Sequence, residues 1–389
     1  MDLERAFLWI KTTTILGNRH EDWPDTRTNT DTPGVIKYLG SKRLLIDRIS
    51  GLVARSCEQD STVIDLFSGT SRVGHALKRA GYRVLANDHN RYAHTLATCY
   101  VQADAERVLV RARAIIEDLM KTPPEPGFIT ETYCVQSRYF HPDNGARIDA
   151  IRARIDELDL DEDLRAVVLT SLVEAADRVD STTGVQMAYL KSWAPRASNR
   201  LSMRIPDVLP AVPTGRCESH RLEAIDAAKK LTGDLAYLDP PYNQHSYLGN
   251  YHLWETLVTG DQPETYGVAR KRSDCKDRKS PFNSKLKIEA ALREVIQSLD
   301  VETVVLSFSD EGYLSRDQIV HMLSGRGRVA VIENDHPRYV GCKIGIHNHN
   351  GDKVGTVGKV RNKELLFVAG EGAERLFGTK KDRRSAVLA

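Results

Sequence analysis

The chain of 389 residues contains no run of about 18 apolar residues, the length that a membrane-spanning helix needs. No membrane partner is therefore expected. The first residues, Met1-Asp2-Leu3-Glu4-Arg5, lack the basic start and apolar stretch of a secretory signal, so the expected location is cytoplasmic. Cysteine is sparse and scattered, at Cys57, Cys99, Cys134, Cys217, Cys275 and Cys342, with no C-x-x-C pair. That speaks against a zinc site or a disulfide framework and for buried, reduced thiols, and no metal is expected. The chain has no G-x-G-x-x-G after a strand, and no basic residue stands there to hold a pyrophosphate, which disfavours a dinucleotide. Internal repeats and low-complexity tracts are also missing. Charge of one sign is lacking too: the formal net charge is +2. That value neither requires nor forbids nucleic acid, because a binding surface can be local.

What is present is ordinary globular material. Apolar residues make up 41% and charged residues 28% of the chain, enough for a sizeable core. The length suits one large α/β domain with an insertion, or two domains. Residues 1–32 read as irregular and polar. The segment Leu44 to Val53 has helical apolar spacing. A short strand follows over Thr62 to Phe67, then a turn at Ser68-Gly69-Thr70, a helix over Val73 to Ala80 capped by Gly81, and a second strand over Arg83 to Ala86. This β-turn-α-β unit implies a parallel sheet. Residues 91 to 120 and 145 to 180 read as helical, the latter with a stripe at Ile148, Ile151, Ile155 and Leu158. Strands resume at Leu235 to Leu238, Thr303 to Phe308, Arg328 to Glu333 and Glu364 to Ala369. Val340 to Val360 reads as a hairpin whose turn contains Asn350-Gly351.

Three places carry chemistry. The small-residue turn Asp65-Leu66-Phe67-Ser68-Gly69-Thr70, between a strand and a helix, lets a ligand approach the backbone where open α/β sheets bind their ligands. A plain βα turn would look similar. Asp88, at the end of the next strand, could accept hydrogen bonds from both hydroxyls of a ribose, or serve as a helix cap. Together they suit a nucleoside without phosphates. The third place is Asp239-Pro240-Pro241-Tyr242, at the end of an apolar strand. The exocyclic amine of adenine is a poor nucleophile, because its lone pair is delocalised into the ring. The Asp239 carboxylate and the Pro240 carbonyl could accept its two hydrogens and aim the lone pair at a methyl group. Pro241 fixes φ, and Tyr242 offers a flat face to an extruded base.

On these residues the chain resembles the Dam-type, or D12, DNA adenine methyltransferases with the α order of motifs. Asp239 to Tyr242 matches the family's D-P-P-Y, Asp65 to Gly69 its cofactor loop, Asn87-Asp88 its acidic position after the second strand, and Lys37-Tyr38-Leu39-Gly40-Ser41-Lys42 its N-terminal K-W-x-G-G-K. The resemblance implies a Rossmann-like seven-stranded S-adenosylmethionine-dependent methyltransferase sheet with a helical target-recognition insertion. It implies methyl transfer from S-adenosylmethionine to adenine N6 in a specific double-stranded DNA sequence, by base flipping and direct in-line transfer. Asp239, Pro240 and Tyr242 would be catalytic. Tyr38, Lys42, Asp65, Phe67, Ser68, Gly69, Asp88 and Asp239 would bind the cofactor. Tyr38 replaces the usual Trp, and Ser71 stands where the loop usually has its second glycine. No residue is assigned beside the cofactor adenine after the third strand.

By this reading residues 1–34 are an N-terminal extension and 35–105 the cofactor-binding half. Residues 106–210 are the target-recognition insertion, and 211–389 the catalytic half with its hairpin. Lys271, Arg272, Arg278 and Lys279, in a locally basic segment after the tetrad, are candidate DNA contacts, as are Lys191, Arg196 and Arg200 near Trp193 and Asn199. Arg204 and the hairpin's Arg338, Lys343 and Lys353 are further candidates, and the basic segment could equally be a solvated loop. Tyr247, Tyr251 and His252 could cover the base or pack in the core. Alternatives with the same chemistry on another amine are a cytosine-N4 enzyme, which more often has Ser at the position of Asp239, and an RNA enzyme, which more often has Asn there. The alternative from a different class is a DNA-binding or cofactor-sensing module without turnover, against which the intact Asp239 to Tyr242 argues. Whether a cognate restriction endonuclease or defence-system proteins are partners is left open.

Overall fold

The computed structural model describes residues 13–16, 36–337, 346–347, 353–355 and 361–377. Its strands, in chain order, are β1 (Thr13–Leu16), β2 (Thr62–Asp65), β3 (Arg83–Asn87), β4 (Glu218–His220), β5 (Leu235–Leu238), β6 (Thr265–Tyr266), β7 (Lys271–Arg272), β8 (Thr303–Ser309), β9 (Val329–Pro337), β10 (Ile346–His347), β11 (Lys353–Gly355) and β12 (Arg361–Gly370). The main sheet has the order β1-β9-β12-β8-β5-β2-β3-β4. Seven of these strands form the expected methyltransferase sheet, parallel except for β12, which runs antiparallel to both β8 and β9. The eighth corrects the sequence reading of residues 1–32 as irregular. Thr13-Thr14-Ile15-Leu16 pairs in parallel with Val329 to Ile332. Its β-branched residues suit a strand, but four residues are too few to show an alternating pattern. The short pairs β6–β7 and β10–β11 are antiparallel, and the second is the expected late hairpin.

The central strands are buried on both faces, so they read as continuous apolar runs rather than alternating ones. In β5, Leu235 and Tyr237 point to one core, and Ala236 and Leu238 to the other. The first core is closed by α1 (Ile46–Ser56) and α2 (Arg72–Arg79), through Ile49, Leu52, Val53, Val73 and Leu77. A third core lies outside the sheet. It joins α3 (Arg91–Ala97), α4 (Ala105–Leu119), α5 (Pro142–Glu157) and α6 (Glu162–Arg178) to Tyr251, Trp254 and Leu257. The stripe of Ile148, Ile151 and Ile155 is buried there, and Leu158 is packed against it. The segment read as one helix from 91 to 120 is broken by a π-helical turn over Thr98–Gln102. The second sheet core is closed by α7 (Ala224–Lys230), α9 (Ile288–Ser298) and α10 (Arg316–Leu323), with α8 (His252–Thr259) lying in the third core. Ser315 and Gln318 form a reciprocal capping box at the start of α10.

Strand order reverses between β2 and β5, and the crevice at their carboxyl ends is where open α/β sheets bind ligands. Among the described cysteines, Cys57, Cys99, Cys134 and Cys217 are buried free thiols and Cys275 is a half-buried one. Among the described residues no helix is long and apolar enough to cross a membrane.

Candidate active site

The loop after β2 is clamped from both sides. The Leu66 amide donates to the Tyr237 carbonyl at 3.1 Å, and the Ser68 amide to the Asn87 carbonyl at 2.9 Å. Gly69 has φ +52, and a Cβ there would lie 3.3 Å from the Tyr38 hydroxyl, so glycine is favoured for both backbone and space. Ser71 also sits in the left-handed region, at φ 58, and is fully buried. A serine in this region is strained where a glycine would not be.

Asp65 at the end of β2 accepts the Gly74 amide of α2 at 3.0 Å. Burial pushes its carboxyl up to about 7, and the Asp239 and Asp88 carboxylates push the same way, against the Gly74 hydrogen bond. Asp88 accepts the Gly69 amide at 3.1 Å through one oxygen and the Asn90 amide at 2.9 Å through the other. The oxygen that takes the Asn90 backbone amide also accepts from the Asn90 side-chain amide at 3.2 Å, so the spare lone pair is on the oxygen that takes the Gly69 amide. Helix α3 begins after Asn90, so Asp88 is not its N-cap.

Tyr38 stacks between Tyr247 and Tyr251, with ring centroids at 5.2 and 4.5 Å. Beyond it, Lys42 is buried, and its ammonium lies 2.9 Å from Asp239 and 2.8 Å from Glu364. Burial alone would lower the Lys42 pKa; Asp239 and then Glu364 outweigh burial and raise it well above the usual lysine value. Asp239 is pushed up to about 6, mainly by burial, while Lys42 holds it down and Glu364 pushes it up.

These elements enclose a cleft of roughly 970 Å³, open to solvent. Tyr38, Lys42, Asp65, Phe67, Ser68, Gly69, Asp88 and Asp239 all line it. The sequence reading missed several walls: Leu222 and Ala224 after β4, Phe282, and Tyr237, whose buried hydroxyl has no protein partner. Phe282 meets Phe67 edge to face at 5.1 Å, so an apolar pair lines the same cleft as the carboxylates. The Ser68 and Ser71 hydroxyls are also buried without a protein partner. The cleft therefore suits a flat nucleoside with hydroxyls to bind and a cationic centre to stabilise.

The chain matches the family described as D12 class N6 adenine-specific DNA methyltransferase over residues 38–322. It is 30% identical over 332 residues to the Type II methyltransferase M.NlaIII of Neisseria lactamica, covering 82% of this chain and 96% of that one. It is 28% identical to the Type II methyltransferase M.CviAII of Paramecium bursaria Chlorella virus 1, over 78% of this chain and 92% of the relative. Against the Type II methyltransferase M.FokI of Planomicrobium okeanokoites it is 29% identical, and the match spans 47% of that longer chain. The chain belongs to the D12 class of N6 adenine-specific DNA methyltransferases. The methyltransferase therefore methylates the N6 of adenine in DNA.

The methyltransferase's tetrad is divided between cleft and core. Asp239 and Pro241 face the cleft. Pro240 is buried. The half-buried ring of Tyr242 packs against Phe308 at 5.7 Å, and its carbonyl accepts the Tyr313 amide at 2.9 Å. Tyr247 lines the cleft, while Tyr251 and His252 are core residues.

The candidate DNA contacts of the methyltransferase also separate. Arg272 is 5% exposed. Its guanidinium pairs with both oxygens of Asp261, at 2.6 and 2.8 Å, and with Asp274. This fixed pairing takes Arg272 out of the phosphate set. Arg278 lines the cleft but is held by buried Glu255 at 2.9 Å. Arg196 is tied to Asp180 at 2.7 Å, an acid that also holds Lys37 at 3.0 Å. Lys191, Arg200, Arg204 and Lys279 are exposed, and Lys271 is half-buried. Arg200 borders a groove with His141, Arg147 and Asn199, and exposed Trp193 lies beside Arg138 and His141. Arg338 and Lys343 fall outside the described residues, as does the Lys353 side chain.

Proposed function

We propose that the methyltransferase uses S-adenosylmethionine as donor and acts on an adenine everted from a specific site in duplex DNA. The observation that carries this reading is the single cleft into which Asp88, Asp65 and the tetrad's Asp239 all open. The fit to the donor is chemical. Asp88 has a spare lone pair for a ribose hydroxyl, Phe67, Leu222 and Phe282 give apolar walls for a flat base, and the unpartnered hydroxyls of Ser68 and Tyr237 are free to bond. The carboxylates of Asp88 and Asp239 favour a cation. When bound, the donor supplies a methyl group on a sulfonium.

The chain's own residues then do three things. Asp239 and the Pro240 carbonyl accept the two hydrogens of the adenine amine and aim its lone pair, which orients the attack and stabilises developing positive charge. Tyr242, backed by Phe308, stacks on the everted base. Tyr38, held between Tyr247 and Tyr251, walls the cofactor side. Arg200, Lys191, Lys271 and Lys279 meet phosphates or base edges, and the protein works in the cytoplasm beside a cognate restriction endonuclease, in line with the Type II names of its relatives.

The test incubates purified protein with isotopically labelled S-adenosylmethionine and duplex DNA, followed by mass spectrometry of the nucleosides. Labelled N6-methyldeoxyadenosine is expected. Asp239→Ala should lower the rate at least about a hundredfold, the scale for losing a preorganised polar group from a transition-state site. Label found only in cytosine or RNA, or full activity in Asp239→Ala, would overturn the proposal.

A further inference from the structure

Glu364 lies beyond the span that matches the family, residues 38–322. It sits in β12, the one antiparallel strand of the seven, directly opposite Asn334 of β9. It is 3% exposed. One of its oxygens accepts from the Lys42 ammonium at 2.8 Å and from the Ser307 hydroxyl at 2.7 Å. The same ammonium is 2.9 Å from Asp239. A carboxylate buried in the middle of a sheet is costly unless it is paired and hydrogen-bonded. Here it has both, and its cation is the one that faces the reaction.

We propose that Glu364 is a positioning residue for methyl transfer: it holds Lys42 on the sheet side of Asp239 and shares its charge, so that Asp239 stays a strong acceptor for the adenine amine. The proposal rests on the reading that Asp239 accepts the amine hydrogens. A lysine paired with Asp239 alone would neutralise the acceptor and could swing into the space of the base. With Glu364 present, one positive charge is divided between two carboxylates, and the triad keeps a net negative charge toward the cleft. Ser307 fixes the Glu364 carboxylate, and β12 fixes Ser307's distance, since the strand pairs with β8 through Leu366 opposite Ser307. The residue acts through Lys42 and does not line the cleft itself.

The sign of the pH effect distinguishes this role from plain packing. Asp239 must be ionised to accept, so activity falls as pH drops through its pKa. Asp65, the acid on β2 that feels the Asp239 charge, also titrates in this range, at about 7. It is the same in parent and variant, so the limb is read as a difference between the two. The Glu364 charge raises that pKa and Lys42 lowers it. Glu364→Gln removes the first influence and keeps the second, so the acid limb of the rate profile should move to lower pH. At the same time the plateau should fall, by up to about a hundredfold, as expected for a displaced reacting group.

The experiment measures single-turnover methylation of duplex DNA by the full chain between pH 5 and 8, for the parent, Glu364→Gln, Glu364→Asp and Asp239→Ala, with circular dichroism to confirm folding. A lowered plateau with an acid limb shifted to lower pH in Glu364→Gln supports the proposal, as does partial recovery of the plateau with the parent's limb in Glu364→Asp. A folded Glu364→Gln with the parent's plateau and limb overturns it, and so does a lowered plateau with an unmoved limb. If Glu364→Gln does not fold, Ser307→Ala takes its place. It loosens Glu364 without removing charge, and an unchanged plateau in that variant overturns the proposal. Full activity in Asp239→Ala would instead sink the underlying assignment of Asp239, and the proposal with it. An inactive Asp239→Ala beside an unaffected Glu364→Gln would sink the proposal alone.

Discussion

Asp88 accepts the Gly69 amide at 3.1 Å, so one carboxylate ties the loop after β2 to the loop after β3. Both loops line the cleft, and the tie sets the distance between the turn and the acid that face it. Asp88 also accepts from the Asn90 amide, which makes a local Asx-type turn ahead of α3. One residue therefore shapes the site and presents an acceptor to it.

Removing that carboxylate should act on both counts. Asp88→Ala is expected to weaken S-adenosylmethionine binding by about 1.5–3 kcal/mol, the range for hydrogen bonds to a charged group. Titration calorimetry on the folded variant gives the number. Unaltered affinity would mean that Asp88 shapes the loops and nothing more.

The basic residues should divide into two groups that one set of measurements can separate. Neutralising Lys191, Arg200, Lys271 and Lys279 together should weaken binding to all DNA sequences alike. It should also flatten the slope of log K against log salt by up to about 0.9 for each phosphate that is no longer neutralised. Arg272→Ala should instead destabilise the fold by about 3 kcal/mol in denaturant titration. That is the low end for breaking a buried pair, because Asp261 and Asp274 keep roughly a third of their surface in water. Parent-like stability in Arg272→Ala, or a parent-like salt slope in the quadruple variant, would refute the corresponding half.

Ser71 gives a conformational test. A left-handed residue other than glycine costs about 1–2 kcal/mol, and the buried Ser71 hydroxyl has no protein partner. Ser71→Gly should therefore raise the stability by up to about 1 kcal/mol, once the extra freedom of glycine in the unfolded chain is subtracted. Ser71→Val should lower it, because a β-branched residue tolerates positive φ poorly. Thermal unfolding of both variants decides. A loss of stability in Ser71→Gly would mean that the hydroxyl is bonded in solution.

Much of this protein was legible locally. The strands β2, β3, β5, β8 and β12 show in the sequence because strands buried on both faces need continuous apolar runs of limited length. Asp65 to Gly69, Asp88 and Asp239 stand at the ends of such runs, and that placement delivers them to one crevice by the geometry of a parallel sheet. The sequence reading does not mark the start of α10, although Ser315 and Gln318 have the spacing of a capping box.

Pairing between distant residues was decided only in three dimensions. The basic segment from 270 to 279 has the composition of a phosphate-binding loop, yet Arg272 and Arg278 are taken up by Asp261, Asp274 and Glu255. Composition counts charges, but availability depends on which acid the fold brings within hydrogen-bonding distance. Glu364 is the clearest case. In sequence it is a single acid at the edge of an apolar strand. Its partner Lys42 is separated from it by 322 positions, and β12 reaches the neighbourhood of β5 only by inserting antiparallel between β8 and β9. Local residue patterns determine which segments become strands and which motifs cap them. Strand order determines which charges share a buried volume, because the electrostatics of a buried group depends on distance through space and not along the chain.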